Sequence, residues 1–256
     1  MYRFFVEEEQ VKNTPVYISG DDYNHIRNVL RLKKGEQVLL CTGGDKEYVC
    51  AIIDYHIEEK QVELAIEDVF ANARELPAKI TLFQGYPKGD KMESIVQKAV
   101  ELGIYEIVPV MMKRCVVKLD ARKAEKKVER LNAIALSAAK QSKRGRIPEV
   151  KEVMTFSDAV KYAKQLDCVL VPYENAQGMD YARELVKSAV GQTHIGIFIG
   201  PEGGFEENEI TELEQIGGKT LSLGHRILRT ETAGITLLSI LMFLLDKDEG
   251  KEETKD

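Results

Sequence analysis

The spacing of apolar positions changes near residue 72, and this change predicts two domains. Before it, short apolar runs alternate with turn residues such as Gly43 and Gly44, a pattern typical of strands joined by hairpins. These runs lie at 37–42, 48–55 and 62–69. A helix starting at Asp21 is predicted from the helical spacing of Tyr23, Ile26, Val29 and Leu30. Residues 1–72 are therefore predicted to form a small β-rich domain.

From Lys79 onward, strand-like and helix-like segments alternate, which predicts an α/β domain with a parallel sheet over residues 73–246. The predicted strands are short and apolar, as buried parallel strands are, and lie at 80–84, 106–111, 168–172, 195–200 and 220–223. The predicted helices lie at 90–102, 121–139, 156–165, 180–190, 206–216 and 231–245. The remaining residues, 247–256, are charged and predicted to be disordered.

The composition is that of a globular protein in a reducing compartment. The chain has 256 residues, of which 44% are hydrophobic and 30% charged. Its four cysteines show neither CxxC spacing nor a histidine cluster, so we expect no disulfide framework and no metal site. The first ten residues lack the pattern of a secretory signal, and the apolar run 233–245 is too short to span a bilayer. We expect a cytoplasmic protein without membrane contact.

Charge is distributed unevenly along the chain. The formal net charge is −6, which alone argues against a nucleic-acid partner. Between Lys113 and Arg146, however, twelve Lys or Arg residues stand against three acids. A basic segment on an acidic protein is compatible with RNA binding.

Two glycine-rich turns carry the most specific signal. GPEGG at 200–204 lies between a predicted strand and a predicted helix, and LSLGHRILRTETAG follows at 221–234. Glycines at such positions let backbone groups approach a ligand closely. The first turn alone is as well explained by a tight connection. Together the two turns predict a small-ligand pocket where a parallel sheet opens.

These residues resemble the bacterial 16S ribosomal RNA uridine-N3 methyltransferases of the RsmE type, in the SPOUT superfamily. The resemblance spans nearly the whole chain and is weakest at 35–72. Its motifs are His25 with VLR at 29–31, Lys88 and Lys91, KAVELG at 98–103, Gln141, Ser142, Arg144, Pro148, GPEGGF at 200–205 and LGHRILRTETA at 223–233.

The resemblance implies an N-terminal β-barrel similar to PUA modules, followed by an α/β domain that ends in a deep trefoil knot. A knot contradicts the general rule that chains do not thread their own loops, so it is expected from the family alone. The resemblance also implies a homodimer, S-adenosylmethionine as cofactor, and 16S ribosomal RNA in the small ribosomal subunit as partner.

The loops that match the cofactor-binding loops of the family are 171–174, 199–204 and 221–229. An adenine ring needs apolar walls and a few backbone hydrogen bonds, which such loops supply. Glu202 is either a partner for the cationic sulfonium or a solvated turn carboxylate. The expected cofactor-binding residues are Val171, Pro172, Tyr173, Ile199, Gly200, Pro201, Glu202, Gly203, Gly204, Leu221, Leu223, Gly224, Ile227, Leu228 and Arg229.

Methylation of uridine N3 requires loss of the N3 proton, so the site must stabilise an anionic base. Arg229 is the expected catalytic residue for that charge. Glu231 is a candidate general base, or else a helix-start acid with a purely electrostatic role. Thr230 and Thr232 are candidates for capping the helix that follows.

RNA is expected to contact basic and polar residues in both parts of the chain. His25 is either a base-stacking residue or a structural one. Lys123, Lys126, Lys127 and Arg130 are interpreted as a solvated helix face. The expected substrate-binding residues are His25, Arg27, Arg31, Lys88, Lys91, Gln141, Arg144 and Arg226.

The predicted function is S-adenosylmethionine-dependent methylation of N3 of a uridine near the 3′ end of 16S ribosomal RNA. The base and the atom follow from the resemblance only. A ribose 2′-O methyltransferase presents nearly the same residues, and a non-catalytic RNA-binding or ribosome-assembly factor is a third reading.

Overall fold

The computed structural model describes residues 1–176 and 178–246, and the chain divides into two compact units. The first unit consists of Met1–Glu75 together with Lys143–Ile147. The second consists of Leu76–Ser142 and the residues from Pro148 onward. The first unit thus takes in a short segment that is distant in sequence. The predicted disordered tail at 247–256 lies outside the described residues.

The first unit is built on a five-stranded sheet with the order β1-β3-β4-β5-β2. The strands are β1 (Tyr2–Phe5), β2 (Val16–Ile18), β3 (Gln37–Cys41), β4 (Lys46–His56) and β5 (Gln61–Ala71). β1 runs parallel to β3, and the other pairs are antiparallel. Alternate strand residues such as Val38, Leu40 and Leu64 are fully buried and form the core.

The helical segment of the first unit departs from the predicted spacing. After α1 (Glu8–Lys12), α2 (Gly20–Asn24) continues into a π-helical turn at His25–Val29, where the Leu30 N–H bonds the His25 carbonyl at 2.9 Å. The wider turn rotates the later residues out of an ideal helical stripe. Tyr23 and Ile26 are buried as predicted, but Val29 is 69% exposed, so its expected place on the apolar face was wrong.

The second unit contains the predicted parallel sheet, with the order β12-β10-β11-β6-β7-β8, and β9 also pairs with β7. Every strand pair in it is parallel. The strands are β6 (Lys79–Gly85), β7 (Glu106–Met111), β8 (Glu149–Val150), β9 (Met154–Thr155), β10 (Cys168–Pro172), β11 (His194–Ile199) and β12 (Lys219–Leu221). β8 and β9 have two residues each, too short for an apolar pattern to predict.

Helices cover this sheet, as the alternation of segments predicted. They are α3 (Lys91–Glu101), α4 (Ala121–Gln141), α5 (Phe156–Ala163), α6 (Met179–Ser188), α7 (Glu207–Gln215) and α8 (Thr230–Leu245). α3 packs against both α4 and α8. One side of the sheet is filled by an aromatic cluster in which the stacked rings of Phe83 and Phe198 lie 4.3 Å apart. This rigid core holds the strand ends that carry the loops described next.

Two further observations bear on the chemistry of the protein. All four cysteines are free. Among the described residues, no helix combines the length and apolar character that crossing a membrane requires.

Candidate functional site

Three loops leave the parallel sheet at the same edge. β10 lies between β11 and β12, and the three strands run in parallel, so their carboxyl ends point the same way. The segments that follow them are the loops predicted from the sequence, 171–174, 199–204 and 221–229. The Tyr173 N–H donates to the Leu221 carbonyl at 3.0 Å and joins the first loop to the third. In an α/β sheet this edge is where ligands bind.

The turn Gly200–Gly204, called the GPEGG turn below, is packed against the end of β6. A Cβ added at Gly85 would lie 2.5 Å from the Pro201 nitrogen, so only glycine allows this approach. Gly204 has a φ of +71°, which L side chains rarely adopt, and its N–H bonds the Pro201 carbonyl at 2.9 Å. Gly200 and Pro201 are buried, whereas Glu202 and Gly203 are exposed. The tip of the turn is therefore the part that a ligand can reach.

Thr230 holds the base of the GPEGG turn. Its hydroxyl donates to the Gly200 carbonyl at 2.6 Å and accepts a hydrogen bond from the Gln84 amide nitrogen at 2.8 Å. Thr230 is 7% exposed and Gln84 is fully buried. The expected capping role of Thr230 was therefore wrong. The N-cap of α8 is Arg229, whose backbone carbonyl accepts the first helical bonds, and no side-chain cap is formed.

Arg114 holds the tip of the same turn, and the sequence analysis missed it. Its guanidinium donates to the Gly203 carbonyl at 2.9 Å and to the Glu206 carboxylate at 2.8 Å. The hydrogen bond that Arg114 donates to Glu206 raises the pKa of Arg114, so the guanidinium stays charged. Gln84 was missed too. Neither residue lies in a recognisable motif, and each meets the turn only through the fold.

The third loop is shaped by Gly224, whose φ of +115° is a backbone conformation that residues with a side chain rarely adopt. The Ser222 hydroxyl accepts a hydrogen bond from the Gly224 N–H at 3.2 Å. β12 ends at Leu221, two residues before the predicted end of the strand at 223. Leu223 and Leu228 are half-buried, whereas Ile227 is 86% exposed. Ile227 thus presents an apolar side chain to solvent at the tip of this loop.

Lys91 joins the second loop to the start of α8. Its ammonium lies 3.1 Å from the Glu202 carboxylate and 3.3 Å from that of Glu231. The Lys88 N–H also bonds Glu202, at 3.2 Å. The Glu202 side chain is 22% exposed and ion-paired with Lys91, and both interpretations of this residue stay predictions.

The ionic states of this cluster follow from its contacts. Burial raises the pKa of Glu202, but the hydrogen bonds from its own N–H, Lys91 and Lys88 outweigh that effect and leave the pKa below its ordinary value. The hydrogen bond with Glu202 likewise raises the pKa of Lys91. Because Lys91 is held between two carboxylates, the arrangement favours a positioning role over the expected RNA contact.

Arg226 and Arg229 are exposed on the third loop and at the start of α8. Within the part of the chain that the structure describes, neither guanidinium forms an ion pair. Both are thus available to a ligand or to RNA at this edge of the sheet.

The expected RNA-binding residues of the first unit surround the π-helical turn. Arg27 donates to the Tyr23 hydroxyl at 3.0 Å and lies over the same ring. His25 is exposed, and its ring meets the edge of Phe4 with centroids 6.0 Å apart. Arg31 is exposed with a φ of +55°. This geometry leaves both readings of His25 open.

Arg144 corrects the expected set of RNA contacts. It is 3% exposed and binds both carboxylate oxygens of Glu75, one of them at 2.8 Å. Gly145 also bonds Glu75, at 3.1 Å. A buried guanidinium in such a fork cannot reach a phosphate without breaking the pair. We therefore interpret Arg144 as a structural contact that holds 143–147 in the first unit. Gln141, at the end of α4, is exposed.

The described residues bring together no group of three or more His, Cys, Asp or Glu side chains that could hold a metal ion.

Comparisons with known proteins agree with this geometry. Residues 74–242 match the model of an RNA methyltransferase domain, and residues 18–67 match that of an RNA methyltransferase PUA domain. The first match covers the three loops, and the second covers the π-helical turn and most of the first sheet.

The chain is 37% identical to ribosomal RNA small subunit methyltransferase E of Bacillus subtilis (strain 168), over 98% of this chain and 100% of the relative. It is 33% identical to the protein of the same name from Mesomycoplasma hyopneumoniae (strain 232), over 93% and 98%. A crystal structure of ribosomal RNA small subunit methyltransferase E from Neisseria gonorrhoeae bound to S-adenosyl methionine superposes with a TM-score of 0.79 at 30% identity, covering 95% of this chain and 98% of the other.

Proposed function

Because the chain belongs to the ribosomal RNA small subunit methyltransferase E family, we propose that it transfers a methyl group from S-adenosylmethionine to ribosomal RNA of the small subunit. The observation that carries this proposal is the meeting of three loops at the carboxyl edge of adjacent parallel strands. The family expected from the sequence motifs is thereby confirmed. A non-catalytic docking factor is disfavoured, because a turn this closely packed around glycines is not needed for docking.

The residues at this edge fit S-adenosylmethionine. Leu223, Ile227 and Leu228 offer apolar walls for an adenine ring, and the exposed tip of the GPEGG turn offers backbone groups. Glu202 belongs to the exposed tip, and its lowered pKa keeps it anionic, which would suit a cationic sulfonium. We propose that these residues, with the other members of the three loops, hold the cofactor. When bound, the cofactor supplies an electrophilic methyl group.

For the target atom we propose N3 of a uridine near the 3′ end of the 16S ribosomal RNA. The N3–H proton must leave as the methyl group arrives, and negative charge then spreads over the uracil carbonyls. Arg229 is exposed beside the third loop and is suited to stabilise that charge. Glu231 lies in the first turn of α8 and is our candidate for accepting the proton, with Lys91 holding one of its oxygens.

The RNA itself would be positioned by phosphate contacts. Arg226 lies at the same edge as Arg229, and Lys88 belongs to the segment that follows β6. Arg27 and Arg31 would act in the first unit, and Gln141 at the end of α4. Such contacts fix the orientation of the RNA without selecting a base.

We further propose a homodimer, supported by an apolar face on α8. Ile240, Phe243 and Leu244 are 40%, 80% and 39% exposed, which is unusual for three neighbouring large apolar residues. A second copy of the chain that covers this helix would remove them from water. Light scattering after gel filtration tests the mass directly. A monomer at micromolar concentration would contradict the proposal.

The finer features of the family fold are part of the same proposal. After β11 the chain crosses to the far side of β10 before it forms β12, and we take this order of strands as support for a knot. A closed barrel in the first unit is proposed from the PUA match. We place the enzyme in the cytoplasm, because its four free cysteines suit a reducing compartment.

The deciding experiment compares ribosomal RNA from cells with and without the gene. Methylation at N3 blocks the pairing edge of uracil, so reverse transcription stops at that nucleotide, and the stop should disappear in the deletion strain. Digestion to nucleosides followed by mass spectrometry then identifies the methylated atom. Loss of a ribose-methylated nucleoside instead would assign the 2′-O activity. An unchanged set of nucleosides would refute methylation of ribosomal RNA.

A further inference from the structure

The backbone of the GPEGG turn is held by two side chains from outside the turn and by one hydrogen bond within it. The Gly200 carbonyl accepts from the Thr230 hydroxyl at 2.6 Å, and the Gly203 carbonyl accepts from Arg114 at 2.9 Å. The Pro201 carbonyl, between them, accepts from the Gly204 N–H at 2.9 Å. These contacts set the direction of the peptides at the base and at the tip of the turn.

We propose that Thr230, supported by Gln84, and Arg114 are positioning residues that hold the GPEGG turn in the conformation that binds the methyl donor. This inference rests on the proposed function, because it takes the turn to be part of the cofactor site. It adds residues from outside the turn, from the end of β6, the segment after β7 and the start of α8. A turn that is ordered in advance loses less conformational entropy on binding.

The Thr230 contact forms the buried half of this clamp. The threonine hydroxyl has one proton, which it gives to Gly200, and the Gln84 amide, which also bonds the Gly85 carbonyl, occupies its acceptor side. Removing the hydroxyl would leave a buried carbonyl without its donor. Restoring it with serine should restore the bond.

The Arg114 contact forms the exposed half. Its side chain is 45% exposed, and its fork spans two acceptors on either side of Phe205. The two backbones are also in close contact, since a Cβ built on Gly203 would lie 2.9 Å from the Arg114 Cβ. Because an exposed ion pair contributes little to folding, replacing Arg114 should alter the turn while leaving the fold intact.

The first test uses Arg114→Gln, with Arg130→Gln as the matched control. Arg130 is an exposed arginine of α4 that also pairs with a glutamate, Glu93, at 2.8 Å. We expect both variants to melt at nearly the wild-type temperature. Only Arg114→Gln should weaken binding of S-adenosylhomocysteine, by about tenfold, measured by calorimetry. Its ligand-free form should also show faster amide hydrogen exchange over 200–206.

The second test uses Thr230→Val, with Thr81→Val as the control. Thr81 is a buried threonine of β6 whose hydroxyl bonds Glu106 at 2.9 Å, at the amino end of the strand. Both variants should lose stability, but only Thr230→Val should weaken S-adenosylhomocysteine binding, and Thr230→Ser should recover most of it. Equal effects of the two valine variants on binding would overturn the buried half of the proposal.

The outcomes separate this inference from the proposed function. If the wild-type protein binds no S-adenosylhomocysteine, the proposed function fails, and hydrogen exchange in the ligand-free variants still decides whether the clamp exists. If the wild type binds and Arg114→Gln binds equally well with unchanged exchange, the clamp is refuted while the proposed function stands.

Discussion

The contact between the end of β6 and the GPEGG turn makes a quantitative prediction for Gly85→Ala. The added Cβ would lie 2.5 Å from the nitrogen and 2.6 Å from the Cδ of Pro201, and 2.9 Å from the carbonyl carbon of Gly200. Non-bonded carbon atoms prefer about 3.5–4.0 Å, so the overlap is about 1 Å. The obstructing atoms belong to the backbone and a proline ring, which cannot rotate away. The turn itself must therefore move.

Overpacking of this kind costs about 1–3 kcal/mol of folding free energy, and we expect Gly85→Ala to fall in that range in urea denaturation. Calorimetry should show that S-adenosylhomocysteine binding weakens by more than about tenfold, since about 1.4 kcal/mol of displacement already gives that factor. Gly44→Ala is the control, because its Cβ would meet only the Thr42 hydroxyl at 3.4 Å. Wild-type affinity and stability in Gly85→Ala would refute the argument that this packing sets the turn.

Three further predictions address other contacts. Arg144→Met should lower the free energy of unfolding by about 3–5 kcal/mol, because it leaves the Glu75 carboxylate without its guanidinium partner. The salt dependence of RNA binding should stay unchanged. A smaller salt dependence in this variant would show that Arg144 contacts phosphate after all. Glu202→Gln should weaken binding of cationic S-adenosylmethionine more than binding of neutral S-adenosylhomocysteine. Calorimetry at pH 7 measures both affinities under conditions where the lowered pKa keeps Glu202 ionised. Equal losses of affinity for the two ligands would exclude a charge interaction. Burial raises the pKa of Cys50 to about 12, so on raising the pH the thiol of the unfolded chain ionises first. The free energy of unfolding should therefore fall as the pH rises from about 9 towards 12, and it should fall less steeply in Cys50→Ala. Parallel plots of unfolding free energy against pH for the two proteins would refute Cys50 as the cause.

Residues adjacent along the chain account for what the sequence could predict. The parallel sheet follows from alternating segments, and the common edge of the loops follows from the parallel direction of the strands. The glycine turns at 200–204 and 221–234 follow neighbouring parallel strands, so they lie at one edge of the sheet, and the pocket that the sequence predicts there stays a prediction. The helix at 20–29 was recognised as well, but its π-helical turn was not, since the apolar spacing there fits an ordinary helix equally well.

Contacts between distant residues account for what the sequence could not predict. Gln84 and Thr230 are 146 positions apart, and Arg114 and Gly203 are 89 apart. No local pattern marks such pairs, because each residue has an ordinary local role in a strand, loop or helix start. Arg144 was misjudged for a related reason. Counting charges along 113–146 treats every arginine as exposed, whereas the fold buries this one against Glu75.

The ion pairs of Lys91 connect residues of three separate motifs. Glu202 and Glu231 come from the two glycine-rich segments, and each is held by Lys91, which belongs to a third motif. If Lys91 bound RNA phosphate instead, two carboxylates would be left facing each other near the cofactor loop, an arrangement that like-charge repulsion disfavours. We therefore propose that Lys91 holds the two carboxylates and that the exposed Arg226 meets RNA phosphate, while Arg229 stabilises charge on the uracil. Basic residues of the motifs thus differ in role, since the ion-paired Lys91 would build the site and the exposed arginines would meet the substrate.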